Sequence, residues 1–278
     1  MADYLLHSMS EFDEIFEEIL TQVRPKKIVE VGSEYGGSTK ILLNYAAQEG
    51  AYLDVVDPSP YTDLSEVFKG FEKFYTHHKE LSVKALENLK ADIYFLDGDH
   101  NYWTVMQELR HIYMNNNNAW VVMHDVGFPC GTRDLYYAPE TIPANEINDF
   151  SYDLSINEKN ELSKYGFNGG GNFAFAKKNG GSKNGVLTAI SDFLVNRDDL
   201  YFRKIDPIFG LGVICPVGEK SNLDKIMDPY NNKLMRRMEA NRMQTYIRLI
   251  EVQNEYAEFK NNLNKNLFFK VLKKLKVI

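Results

Sequence analysis

Acidic and histidine side chains concentrate in two short segments of this 278-residue chain. FLDGDHNY contains Asp97 and His100, and VVMHDVG contains His124 and Asp125. Each segment begins as an apolar run typical of a buried parallel strand, and neighbouring strand ends in a sheet lie about 5 Å apart. Two uncompensated carboxylates this close would repel each other, so Asp97 and Asp125 are placed to share one hard divalent cation. Such a cation lowers the pKa of a bound hydroxyl group.

Two histidines and a further acid extend this cluster. His100 is the candidate general base, because an imidazole titrates near neutral pH. His124 is a third candidate metal ligand, and its nitrogen suits a transition metal better than magnesium. We interpret Asp99 as the N-cap of the helix that follows. The structural alternatives, a capping role for each acid and a solvated surface position for each histidine, stay open at this point.

A glycine-rich turn, IVEVGSEYGGST, follows an earlier apolar run and opens a helix. Gly32 and Gly36 let the backbone turn sharply and approach a ligand closely, and the helix N-terminus offers free N–H groups. The spacing matches neither the dinucleotide fingerprint nor a phosphate-binding P-loop. Glu30 favours a cationic or hydroxyl-bearing ligand. Asp57 ends the next predicted strand, where an acid commonly binds a ribose diol.

The elements that must position these residues alternate between short apolar strands and helix-like stretches. Strands are predicted at 26–31, 51–57, 74–78, 91–97, 119–125, 171–176 and 210–216, and helices near 37–48, 62–72, 82–90, 102–114 and 185–196. This alternation predicts an α/β fold with a doubly wound, mostly parallel sheet. Ligands bind beyond the carboxyl ends of such strands, so the acids at those ends are expected to face one crevice.

The glycine loop and the acids that follow it resemble the class I S-adenosylmethionine-dependent methyltransferases, whose fold is Rossmann-like. The resemblance spans roughly residues 8–217. It implies a cofactor site in which the methionine end is lined by Glu30, Gly32, Gly36 and Ser38, the ribose is held by Asp57, the adenine lies near Ser82, and Asp97 borders the same crevice.

The pattern D-G-D-H-x-Y followed by H-D is similar to metal-dependent sugar O-methyltransferases of the macrolide deoxysugar type. This resemblance implies that Asp97 and Asp125 hold magnesium and that His100 is the base; those enzymes carry an acid where this sequence has His124. The expected activity is O-methyl transfer to a sugar hydroxyl of a glycan or glycosylated metabolite. The alternatives are metal-independent methylation of an amine or phosphoamine, and a non-catalytic scaffold in a glycan-assembly complex.

A long Gly-, Pro-, Asn- and Tyr-rich stretch at 126–170 is predicted to be a substrate loop, because it exceeds an ordinary connection. Arg133, Tyr136 and Tyr137 are its candidate substrate residues: aromatic rings stack on the apolar face of a sugar, and a guanidinium binds a phosphate or carboxylate. A loop packed by its own tyrosines is the structural alternative. RDLYY-x-P-E and the later N-G-V-x-T-A-x-x-D-F also resemble a bacterial subgroup of these methyltransferases.

Composition narrows the class of protein. The chain is 44% hydrophobic and 26% charged, which is enough for a sizeable core and excludes wholesale disorder. The formal charge of −7 argues against a nucleic-acid partner. No signal-peptide pattern or membrane-length apolar run is present in the sequence, and two cysteines form no disulfide framework. These features predict a cytoplasmic protein, with peripheral contact at the inner face of the membrane as a further option.

The charge is divided unevenly along the chain. Residues 230–278 hold 11 Lys and Arg against 4 Glu, a charge of +7, so the remainder carries −14. We predict a methyltransferase domain at 1–222 and a helical, basic tail at 223–278. A heptad from Met235 has apolar or aromatic residues at seven of ten a and d positions, which indicates a homo-oligomer or domain-packing helix. Residues 265–278 read as a basic amphipathic end suited to a membrane surface, with a solvated tail as the alternative.

Overall fold

A computed structural model of the chain describes residues 5–169 and 171–265. In chain order its strands are β1 (Lys27–Val31), β2 (Tyr52–Val56), β3 (Tyr75–His78), β4 (Ile93–Leu96), β5 (Trp120–Met123), β6 (Leu135–Tyr136), β7 (Phe150–Ser151), β8 (Ser155–Ile156), β9 (Leu162–Ser163), β10 (Ala174–Ala176), β11 (Leu200–Ile205) and β12 (Leu211–Pro216). Its α-helices are α1 (Asp13–Val23), α2 (Gly37–Glu49), α3 (Leu64–Val67), α4 (Ser82–Ala85), α5 (Tyr102–Asn115), α6 (Val186–Phe193), α7 (Lys220–Met227) and α8 (Lys233–Lys265).

The described residues build a seven-stranded sheet in the order β11-β12-β5-β4-β1-β2-β3. Strands β1 to β5 pair in parallel, and β12 and β11 extend the sheet in antiparallel fashion. One apolar core contains residues of α4, α5 and α6, and a second contains residues of α1, α2, α3 and α7, so both faces of the sheet are covered. The predicted doubly wound α/β fold with a mostly parallel, Rossmann-like sheet is confirmed.

The register of the central strands aligns their carboxyl ends. Val31 of β1 lies beside Leu96 of β4 and Val56 of β2, and Leu96 lies beside Met123 of β5. The buried apolar runs hold these strands in place, because β4 and β5 are buried along their whole length. The next residue of each strand therefore falls at one edge of the sheet, which is where the candidate acids lie.

The predicted substrate loop has secondary structure of its own. Strands β6, β7 and β10 form a small antiparallel sheet, and β8 and β9 form a hairpin. The strand predicted at 171–176 joins this small sheet rather than the central one. Strand β11 has no counterpart among the predicted strands, because its four middle residues are only half-buried and give no continuous apolar run.

Helix α8 begins against the body of the protein. Met243 and Ile247 are buried against Leu5 and Phe209. Leu223 of α7, just after the predicted boundary at residue 222, belongs to the same apolar core as α1. The division into two domains stays a prediction. No helix within the described ranges is both long and apolar enough to cross a bilayer. Residues 266–278, which include most of the predicted basic amphipathic end, lie outside the described residues.

Candidate active site

The glycine turn after β1 brings two strand ends into close contact. Gly32 has a φ of +80°, and a Cβ at this position would lie 2.1 Å from the carbonyl oxygen of Asp97. Gly36 has a φ of +84° and forms the N-cap of α2, where a Cβ would collide with the ring of Phe68. Glycine is required at both positions on steric grounds. The turn thereby places the N-terminus of α2 at the same edge of the sheet as Asp97.

Glu30 is buried, with only 1% of its surface exposed. Within the described part of the chain, neither of its oxygens has a hydrogen-bond partner of acceptable geometry. Burial raises its pKa to about 8, an effect that the hydroxyls of Thr39 and Ser38 partly offset. A buried, unpaired carboxyl is costly. This site therefore fits a ligand that brings a positive charge, such as the ammonium group of S-adenosylmethionine.

Asp57 joins the turns that follow β1 and β2. Its Oδ2 accepts hydrogen bonds of 2.8 Å from the backbone N–H and the hydroxyl of Ser33, and its Oδ1 accepts one of 2.9 Å from the N–H of Ser59. These contacts fix the carboxylate at the sheet edge and leave lone pairs on Oδ1. The geometry suits an acceptor for a ribose hydroxyl. Ser38 and Ser82, the other predicted cofactor residues, are buried at the starts of α2 and α4.

Asp97, His124 and Asp125 form a compact cluster beyond β4 and β5. One ligand atom from each lies within 4.8 Å of the others. His124 Nδ1 is 3.0 Å from Asp97 Oδ1 and 3.5 Å from Asp125 Oδ2. Two carboxylates and one imidazole are a donor set that binds divalent cations, and the nitrogen extends the choice beyond magnesium.

A backbone carbonyl sets the orientation of His124. Its Nε2 lies 2.8 Å from the carbonyl oxygen of Ile208. An N–H at Nε2 donates to that carbonyl, which leaves Nδ1 facing the two acids, the arrangement found in many metal-bound histidines. Burial lowers the pKa of His124, but the carboxylates of Asp97 and Asp125 outweigh this effect and raise it to about 9. The two carboxylates thus favour a positive charge at this point, from either an imidazolium or a metal ion.

His100 also lies close to these two carboxylates. Its Nε2 lies 3.3 Å from Asp125 Oδ2 and 3.9 Å from Asp97 Oδ1. Asp125 has a φ of +57°, an unusual conformation for a residue other than glycine, and such backbone is common at functional sites. The predicted base and the predicted metal ligands are therefore brought together at one point.

The structure separates the three predicted substrate residues. Tyr137 is 45% exposed, and its ring centroid lies 6.0 Å from that of His100. Tyr136 is buried and donates its hydroxyl to Asp134. Arg133 is also buried, and its guanidinium donates to Asn160 and to the carbonyl of Ala176, so it is held inside the substrate loop. Only Tyr137 of these three residues reaches the cluster.

Asp99 has a different role from the predicted one. The N-cap of α5 is Asn101, whose side chain accepts from the N–H of Thr104. Asp99 instead accepts a hydrogen bond from the side chain of Asn101 and one from the N–H of Tyr137. The cap prediction was wrong because Asn101 lies one residue before the helix and is itself a strong capping residue. Asp99 ties Tyr137 to the end of β4.

Two features of the site are not predicted from the sequence. Ile208 orients His124 through its backbone, which no side-chain pattern reveals. Glu108 lies on α5, is 2% exposed, and has one oxygen with no partner among the described residues. Burial raises its pKa to about 8 despite the nearby hydroxyl of Ser82. The signal for Glu108 was an acid on the apolar face of a helix, at the position two turns after Asn101.

Comparisons with known proteins find one family model that matches part of the chain. Residues 29–126 match the family model described as "Methyltransferase domain". The matched span runs from β1 to the residue after Asp125 and so contains Glu30, Asp57 and the Asp97 cluster. No curated protein sequence matches the chain.

Solved structures with a similar arrangement include two methyltransferases. The Podospora anserina methyltransferase PaMTH1, with SAH bound, is 16% identical, with a TM-score of 0.46 over 73% of this chain and 76% of its own. The O-methyltransferase TomG from Streptomyces achromogenes, in complex with SAM, is 12% identical, with a TM-score of 0.44 over 76% of this chain and 82% of its own.

Proposed function

We propose that this chain, an S-adenosylmethionine-dependent methyltransferase, methylates a sugar hydroxyl oxygen with the help of a divalent cation. The observation that supports this most strongly is the meeting of Asp97, His124 and Asp125 with His100, at the same sheet edge as Glu30 and Asp57. The proposed cofactor residues and the proposed hydroxyl-activating residues thus lie at one edge of the sheet. That arrangement is what methyl transfer to an oxygen requires.

On the cofactor side, the chain supplies charge and shape. Glu30 would pair with the ammonium group of S-adenosylmethionine, Asp57 would accept from the ribose, and the turn at Gly32 admits a close backbone approach. The sulfonium donor brings an already activated methyl group. The chain's remaining task is to align the acceptor and remove one proton.

On the acceptor side, Asp97, His124 and Asp125 would hold the divalent cation. When bound, the cation would supply Lewis-acid activation of the acceptor hydroxyl. His100 Nε2 lies 3.3 Å from one of these carboxylates, so a hydroxyl at the cluster would be within reach of the imidazole. His100 would accept the hydroxyl proton as the oxygen attacks the methyl carbon.

The acceptor class is proposed from the surfaces around the cluster. Tyr137 presents a half-exposed ring beside His100, and Tyr35 and Tyr61 form a second exposed pair with ring centroids 5.1 Å apart. Tyr35 and Tyr61 lie on the turns after β1 and β2, beyond the same carboxyl ends of the sheet. Aromatic rings stack on the apolar face of a sugar while nearby acids accept from its hydroxyls. This combination supports a glycan or glycosylated metabolite as the acceptor.

Methyl-labelled cofactor tests the proposal directly. The full chain would be incubated with S-adenosylmethionine carrying a ¹³C methyl group, Mg²⁺ or Mn²⁺, and a pool of nucleotide sugars and glycan precursors. We expect the label in a methoxy carbon of a sugar product by NMR spectroscopy. The variant His100→Ala should bind S-adenosylhomocysteine like the wild type but form no labelled product.

Two results would contradict the proposal. A label attached to nitrogen would establish an N-methyltransferase. Formation of labelled product after complete removal of divalent cations would exclude metal assistance. Loss of S-adenosylhomocysteine binding in His100→Ala would show that His100 serves the cofactor site rather than proton transfer.

A further inference from the structure

The second half of helix α8 presents an apolar stripe to solvent. Leu249, Val252, Tyr256 and Phe259 are 42%, 45%, 63% and 59% exposed. Their spacing of three, four and three residues is that of the a and d positions of a heptad repeat. A continuous row of large exposed apolar side chains marks an interaction site on a protein surface.

The opposite side of α8 faces the body of the protein. Met243 and Ile247 are buried against Leu5 and Phe209, and further along Glu258 accepts from the side chains of Lys164 and Tyr165. In the heptad register that places Leu249 at an a position, Met243, Ile247 and Glu258 occupy b, f and c positions. The a and d stripe therefore points away from the body, and the helix cannot bury it without releasing its own packing face.

We propose that this stripe is the seam of a parallel two-stranded coiled coil formed with a second copy of the chain. A second copy is favoured because it presents the same a and d residues in the same register. The flanking charges agree with this choice. Glu255 occupies a g position and Lys260 the e position of the next heptad, and both are exposed.

In a parallel pair each g residue lies beside the following e residue of the partner helix. Glu255 of each copy then faces Lys260 of the other, and two opposite-charge pairs close the sides of the seam. A membrane surface is a poorer partner for the described part of α8. Glu251, Glu255 and Glu258 lie along this half of the helix, and an anionic leaflet would repel them.

The first test is the mass of the full chain in solution across a range of concentrations. Light scattering should show a concentration-dependent dimer at twice the 32.1 kDa of a single chain. The double variant Val252→Glu, Phe259→Glu should be a monomer with unchanged S-adenosylhomocysteine affinity, because both side chains lie on the solvent side. Asn261→Glu, an exposed change at an f position, is the matched control and should remain a dimer.

Cross-linking tests the parallel direction. Both native cysteines, Cys130 and Cys215, are buried. Any disulfide cross-link between two copies would therefore form through the introduced surface cysteine. Phe259→Cys occupies a d position, where two copies in a parallel seam meet, and it should form a disulfide-linked dimer on mild oxidation. Asn261→Cys points away from the seam and should stay monomeric on a non-reducing gel.

Several outcomes would overturn this inference. They are a wild type that is monomeric at all concentrations, a double variant that still dimerises, and a Phe259→Cys protein that does not cross-link. Binding to anionic vesicles that is lost in the double variant, with no dimer in solution, would assign the stripe to a membrane instead. None of these outcomes depends on methyl transfer, so the inference can fail while the proposed function stands.

Discussion

In the proposed cofactor site, we expect cofactor affinity to depend most directly on the carboxyl group of Glu30. It is buried, it has no hydrogen-bond partner among the described residues, and its pKa is raised to about 8, so it should ionise when a cationic ligand arrives. We expect Glu30→Gln to weaken S-adenosylhomocysteine binding about 100-fold, the loss that follows removal of one partner from a buried charge pair. Calorimetry measures this change. It should also show proton release on binding at pH 7 in the wild type and none in the variant.

Glu108 should make the stability of the unliganded protein depend on pH. Burial raises its pKa from 4.5 to about 8, so between these values the folded state binds more protons than the unfolded state. The free energy of unfolding therefore falls as pH rises through this interval, by at most about 1.4 kcal/mol per pH unit for one group. Glu108→Gln should remove that contribution and gain stability relative to the wild type from pH 5 to pH 8.

Denaturant titrations at pH 5 and pH 8 measure this effect. An equal stability difference between Glu108→Gln and the wild type at both pH values would contradict it. Glu87→Gln, an exposed change in the same protein, is the control and should leave the pH dependence as it is.

Single residues differ in how far the sequence predicts them. Residue type and strand register suffice to bring Asp97, His100, His124 and Asp125 together, because strand ends in a parallel sheet share one edge. They do not suffice for Arg133, since an arginine in a polar loop is equally able to bind substrate or to hold the loop. That choice depends on which partners the folded loop offers.

At the scale of elements, the substrate loop is a small antiparallel sheet held by buried polar contacts. Arg133 connects Asn160 to the end of β10. Arg133→Ala should lower the free energy of unfolding by about 3 kcal/mol, because it leaves buried acceptors without their charged donor. Chemical denaturation measures the loss. Arg236→Ala, on the exposed start of α8, should cost less than about 0.5 kcal/mol. An unchanged stability with a raised KM for the acceptor would show instead that Arg133 contacts the substrate.

The elements also show where sequence patterns stop being informative. The central strands are apolar runs buried on both faces, and their existence follows from that pattern. Edge strand β11 and the short strands β6 to β9 are half-buried or only two residues long. Their pairing depends on contacts between distant segments, which no local periodicity encodes.

For the whole molecule, α8 divides into a half that packs on the body and a half that projects its apolar stripe outward. Deleting residues 233–278 removes Met243 and Ile247 from their packing against Leu5 and Phe209. We expect this deletion to lower the free energy of unfolding by about 4 kcal/mol, the contribution of two buried side chains. Deleting only residues 249–278 removes the exposed contacts of Glu258 with Lys164 and Tyr165 and should lower thermal stability far less at low protein concentration. Equal melting temperatures for both truncations would contradict this division.

The charge asymmetry of the chain acquires a structural meaning at the same scale. The acidic body places unpaired or clustered carboxylates at the strand ends, where a cationic cofactor and a metal ion would neutralise them. Helix α8 carries 7 Lys and Arg together with all 4 Glu of residues 230–278, so the described portion is not a uniformly basic surface.

The dependence of turnover on a divalent cation is the sharpest test of the proposed function. Formation of S-adenosylhomocysteine would be followed with the sugar acceptor identified by ¹³C labelling, before and after chelation. Activity should disappear on chelation and return with Mg²⁺ or Mn²⁺ in the wild type, and Asp125→Asn should not respond to either ion. Undiminished turnover in the chelated wild type would contradict the role assigned to Asp97, His124 and Asp125.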